Sequence, residues 1–137
     1  MPRKHHIESN VPSPGEEEFC EVIASGSRGV KIERIVSHGQ ASPPGFWYDQ
    51  DQEEFVYLVK GDAGIEFEGH PSASGVCEPY TVHLSSGDYI AIPAHRRHRV
   101  AYTGSPNATP EAESDCEDTV WLCVFYGPAT TSESASQ

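Results

Sequence analysis

Trp47-Tyr48-Asp49-Gln50-Asp51-Gln52-Glu53-Glu54-Phe55-Val56-Tyr57-Leu58-Val59-Lys60-Gly61 changes character at its middle: an acidic, wet entry becomes a β-branched and aromatic run that halts at a glycine. Successive side chains of a strand point to opposite faces. Glu54, Val56 and Leu58 therefore share one face, and Phe55, Tyr57 and Val59 the other. Both faces are apolar, so one is expected to line a barrel while the other needs a second layer or a partner subunit. A second stretch, Gly87-Asp88-Tyr89-Ile90-Ala91-Ile92-Pro93-Ala94-His95-Arg96-Arg97-His98, has a similar plan: a turn, a short strand, a proline stop, then a basic segment.

Outward from these two stretches the same period of two recurs. Val30–Glu33, Ile65–Glu68, Tyr80–Leu84, His98–Thr103 and Thr119–Tyr126 alternate or run apolar, and Gly-centred turns separate them. Short strands at short spacing predict an all-β sandwich or barrel. No window carries a helical stripe. The segments 70–79 and 104–118, rich in Pro, Ser, Gly and acid, read as long hairpin loops.

The chain has 137 residues, enough for one domain and too few for two. Residues 1–15, with Pro2, Pro12, Pro14 and Gly15, read as a flexible N-terminal arm. Residues 16–127 read as the barrel domain, and 128–137, rich in Ser and Thr, as a disordered tail. No apolar run approaches the ~20 residues of a membrane span. No apolar stretch follows the basic start, so a cytoplasmic protein with reduced thiols is expected. Cys20, Cys77, Cys116 and Cys123 form no CxxC pair, and the sequence leaves open whether Cys77 and Cys116 meet.

Net charge is −12, which disfavours nucleic acid as a partner, since phosphate binding needs a basic face. Three of the nine bases, Arg96, Arg97 and Arg99, nevertheless fall within four residues. They read in two ways: as neutralisers of surrounding acid, or as guanidinium groups that orient a carboxylate or phosphate at a barrel mouth.

The two quoted stretches resemble the paired motifs of the cupin family. Glu54 and Gly61, with six residues between them inside the first, reproduce the end of motif one; Gly87, Pro93 and His98 reproduce motif two. The resemblance covers residues 30–126 and implies a small single-domain β-barrel of the jelly-roll, double-stranded β-helix type. It also implies a divalent metal inside, held by two His and a Glu of motif one and the His of motif two. Glu54 and His98 carry over. The motif-one His pair does not: its places are taken by Trp47 and Asp49 or, one residue along, by Tyr48 and Gln50. His95 replaces a motif-two glycine, and Tyr102 stands where an Asn is common.

From these matches the expected metal ligands are Asp49, Glu54, His95 and His98, a mixed N/O set suited to Fe, Mn, Ni or Zn. Tyr48 and Tyr102 are the acid/base candidates. Trp47, Gln50, Arg97 and Arg99 are the expected contacts to a small anionic ligand. Three functions follow: a metal-dependent oxygenase, isomerase or lyase; a ligand-binding or sensing module without chemistry; and a dimeric structural scaffold. A homodimer is expected from the two-sided strands.

Overall fold

A computed structural model of the chain describes residues 2–13, 15, 17–69, 71–72, 75–76, 78–104 and 118–128. The expected C-terminal tail from residue 129, and Cys77 and Cys116, lie outside the described residues.

Strands dominate, as the alternation predicts. In chain order they are β1 (Phe19–Ser25), β2 (Lys31–Ser37), β3 (Gln52–Lys60), β4 (Asp62–Phe67), β5 (Pro71–Ser72), β6 (Gly75–Val76), β7 (Tyr80–Ser85), β8 (Tyr89–Ile92), β9 (His98–Thr103) and β10 (Thr119–Pro128). All pairings are antiparallel. One sheet runs β1-β2-β10-β3-β8, a second runs β7-β4-β9, and β5 and β6 form a separate ribbon. β1 goes beyond the sequence expectation: its Glu, Cys and Ala break any clear alternation, and most of its residues are exposed at the sheet edge.

The two main sheets face each other across a common core. Val56 and Leu58 of β3 meet Ala63, Ile65 and Phe67 of β4, with Leu84, Ile92, Trp121 and Cys123 closing the cluster. The inward face of β3 is thus Glu54, Val56 and Leu58, as the alternation predicts. Gly61 turns β3 into β4 at φ +100, a left-handed value that side chains rarely adopt. A Cβ there would also sit 3.1 Å from the Thr119 backbone.

On the outer face of the larger sheet, Arg34 of β2 holds a short piece of the chain's own N-terminus. Arg34 points away from the barrel interior and is buried. Its guanidinium donates to the carbonyls of Ile7, Ser9 and Asn10, and pairs with Glu21 at 3.0 Å. The arm expected to be flexible is therefore held across β2 at residues 7–10. Its anchor, a buried charge inside a strand, lies far from it in sequence.

Candidate functional site

The inward alternation of β2, β3, β9 and β10 leaves a cavity of about 220 Å³ between the sheets. Ile35, Val56, Ile65, Ile92, Val100, Trp121 and Phe125 supply its apolar wall. Its polar groups are Glu18, Glu33, Gln50, Glu54, Tyr48 and His98, with the thiols of Cys20 and Cys123. Such a site, apolar with a few convergent polar groups, has the make-up of a small-molecule pocket.

Glu54 begins the inward face of β3 and His98 opens β9, so the two meet across the barrel. They are 8% and 5% exposed. His98 Nε2 lies 3.5 Å from Glu54 Oε1, and Gln50 Nε2 donates to the same oxygen at 2.9 Å. The other imidazole nitrogen, Nδ1, is 2.8 Å from the carbonyl of Arg96. A carbonyl only accepts, so Nδ1 carries a proton. In the neutral ring Nε2 is then an acceptor facing a carboxylate. Gln50 already supplies a donor to Oε1, so Nε2 is the acceptor left open to a further group.

The motif-one register is resolved by the pairing of Tyr48 with His98. Tyr48 N donates to His98 O at 2.7 Å, and His98 N returns a bond to Tyr48 O. Tyr48 and Gln50 face the cavity, while Trp47 and Asp49 do not line it. The Tyr48 ring stacks on His98 at a centroid distance of 5.6 Å. An aromatic ring and an amide thus take the places that the family resemblance gives to two imidazoles.

The other expected site residues lie elsewhere. Asp49 and His95 pair with each other at 2.8 Å, both well exposed and outside the cavity lining. His95 adopts φ 65, the left-handed conformation that explains a glycine at this place in the family. Tyr102 packs on the outer side of the smaller sheet, its ring covering Gly64 and its hydroxyl 2.6 Å from His83 Nδ1. Arg97 pairs with Glu68 at 3.4 Å and Arg99 with Glu66 at 2.7 Å. Neither lines the cavity. Arg96 lies over the rings of Phe67 and Tyr80.

Four expected metal ligands therefore divide into two separated pairs. Among the described residues, no group of three or more His, Cys, Asp and Glu side chains is gathered to hold a metal ion. Glu54 and His98, with no third His, Cys, Asp or Glu gathered beside them among the described residues, fall short of the three or four ligands by which metal sites usually hold a first-row ion. Among the described residues the donor set does not fit a resident divalent metal.

Sequence reasoning missed Glu18, Cys20 and Glu33. Glu18 accepts from Ser37 Oγ at 2.6 Å, and Ser37 in turn accepts from Trp121 Nε1 at 3.0 Å. Glu33 pairs with Lys31 at 3.3 Å. Burial, then the charges of Glu18 and Glu33, push the Cys20 thiol up to about 11. Burial, then the charge and hydrogen bond of Glu54, push Cys123 well above the usual thiol range. Burial first, and nearby acids next, also raise Tyr48. At neutral pH both thiols and the Tyr48 phenol are protonated, so they act as donors and not as nucleophiles or bases.

No protein-family model and no curated protein matches the chain. Solved structures do. A Ralstonia eutropha JMP134 protein, provisionally assigned as a mannose-6-phosphate isomerase, is 39% identical; the match covers 93% of this chain and 100% of that one, with a TM-score of 0.71. A cupin superfamily protein from Desulfitobacterium hafniense DCB-2 is 14% identical over 86% of this chain and 84% of its own, with a TM-score of 0.59. A Klebsiella pneumoniae protein with a double-stranded β-helix domain is 14% identical over 96% and 95%, with a TM-score of 0.63.

Proposed function

Because the chain belongs to the cupin superfamily, we propose that it uses the barrel interior to bind a small polar molecule, without a resident metal. The ligand donates hydrogen bonds to Glu54 and His98. The observation that carries this reading is the pair of buried acceptors, Nε2 and Oε1 at 3.5 Å, opening on a cavity of about 220 Å³. Gln50 already donates to Oε1, while Nε2 accepts from no described residue, and a ligand that supplies a donor there completes the pair. Gln50 holds Glu54 in place, Arg96 O fixes the imidazole tautomer, and Tyr48 covers the ring.

A second reading adds chemistry to the same pair. Glu54 and His98 can take a proton from a bound molecule and return it, the step an isomerase requires. The phosphorylated substrate in the Ralstonia protein's provisional assignment does not carry over. Three carboxylates line this cavity, and no Lys or Arg does among the described residues. A phosphate dianion there meets repulsion.

A thermal-shift screen of small polar molecules on the intact chain, repeated on Val100→Trp, tests the binding reading. Val100 lines the cavity, so a Trp there fills it. Binding shows as stabilisation that grows with ligand concentration. Stabilising molecules are expected for the unaltered chain and lost in the filled variant. Equal stabilisation of both proteins, or of neither, contradicts the proposal.

A further inference from the structure

We infer that the molecule taken into the barrel is a small organic cation, a protonated or quaternary amine. This rests on the reading that the cavity binds a small molecule, and goes beyond it by naming the charge. The lining brings together Glu18, Glu33 and Glu54 from separate parts of the chain, together with the rings of Tyr48, Trp121 and Phe125. Carboxylates with aromatic faces form the combination that recognises ammonium groups, through charge and through the ring quadrupole.

The chain already docks an ammonium of its own against this wall. Lys31 Nζ lies 4.8 Å from the centroid of Phe125 and 3.3 Å from Glu33. That contact occupies Glu33 and leaves Glu18 and Glu54 to the interior. Glu18 is held from outside the acidic set. Ser37, 0% exposed, donates to its Oε2, and the buried indole of Trp121 fixes Ser37. A carboxylate positioned this way is preorganised, so little ordering is left for the ligand to offset. Glu54 Oε1 already accepts from Gln50, and among the described residues no base pairs with Glu18, so a single positive charge is the complement it lacks.

The raised thiols agree. Burial first, and then the carboxylates around them, raise Cys20 and Cys123 on two different strands.

Calorimetric titration of the full chain at neutral pH with three molecules of one shape tests the inference: cyclohexylamine, protonated in these conditions; cyclohexanol; and cyclohexanecarboxylate. The amine is expected to bind at least about tenfold more tightly than the alcohol, a difference of the size one such interaction supplies. The carboxylate is expected not to bind. Glu18→Gln is expected to weaken the amine by about tenfold while leaving the alcohol unchanged. Alcohol binding as tight as the amine, or tighter carboxylate binding, overturns the cation inference and leaves the barrel-binding reading standing. Absence of binding by all three overturns both. The comparison on the unaltered chain decides even where Glu18→Gln does not fold.

Discussion

His95 and His98 lie three residues apart and have opposite characters, which makes them a useful contrast. His95 occupies a left-handed position and makes one exposed pair with Asp49. Replacing it by Gly relieves backbone strain but loses that pair and adds freedom to the unfolded chain. His95→Gly is therefore expected to change unfolding stability by less than about 0.5 kcal/mol in urea. His98→Ala removes a buried ring packed on Tyr48 and Phe67 and leaves the Arg96 carbonyl without its donor, and is expected to cost about 3 kcal/mol. Equal costs for the two substitutions contradict the assignment of one to the surface and the other to the site. Cys20 gives a second residue-scale prediction. Its ionisation near 11 instead of 9.0 means slow alkylation at neutral pH, with a rate that rises toward a midpoint near 11 and vanishes in Cys20→Ser. Because the folded value is raised, the stability this thiol contributes is complete below pH 9.0 and is lost as pH climbs toward about 11. An alkylation midpoint near 9 removes both the burial and the acidic field around Cys20 from the account. The structure brings Glu54 and His98 together across the cavity, and that they would meet was legible through the resemblance to the two cupin motifs. The choice between Tyr48/Gln50 and Trp47/Asp49 was not: a period of two fits either register until a cross-barrel partner fixes one. Glu18 and Glu33 were hidden because an acid next to an edge strand reads like any solvated charge.

Turns and anchors decide the behaviour of the elements. Gly61 joins β3 to β4 where the Thr119 backbone and the Asp118 carbonyl approach closely. Gly61→Ala is expected to cost roughly 2–3 kcal/mol, from both the forbidden φ and the clash. A cost below about 0.5 kcal/mol would mean that this turn does not hold the hairpin. Arg34 sets the fate of the N-terminal arm. Arg34→Ala is expected to raise amide hydrogen exchange at residues 7–10 by at least about tenfold, while the amides of β3 and β10 keep their protection. Unchanged exchange in the arm shows that something other than the guanidinium holds it. Strands β2 to β4 and β7 to β10 were readable as alternation. The arm was not, because its order comes from one buried arginine on β2 and not from any pattern in residues 1–15. Strand alternation also explains the arginines: Arg97 and Arg99 sit on the faces opposite His98 and Val100, so they turn outward to Glu68 and Glu66.

At the scale of the whole molecule, the net charge of −12 and the acidic cavity point the same way, toward ligands that are not anions. Among the described residues, no helix is long and apolar enough to cross a membrane. The outer edge of the larger sheet leaves Phe19, Val22 and Ile23 of β1 exposed. Among the described residues β1 is the edge of that sheet, and the homodimer expected from the two-sided strands has it to use. Sedimentation is expected to give twice the 15.0 kDa chain mass, and a monomer at micromolar concentration contradicts it. The account turns, finally, on whether the interior of the barrel is a place where something binds. Histidine-selective ¹⁵N NMR reads this directly, since His98 alone among the cavity-lining residues carries an imidazole. During titration with a molecule that stabilises the chain, the Nε2 signal of His98 is expected to move and saturate while His83 and His95 stay still. Saturation of binding with His98 stationary would place the ligand outside the barrel and contradict the account.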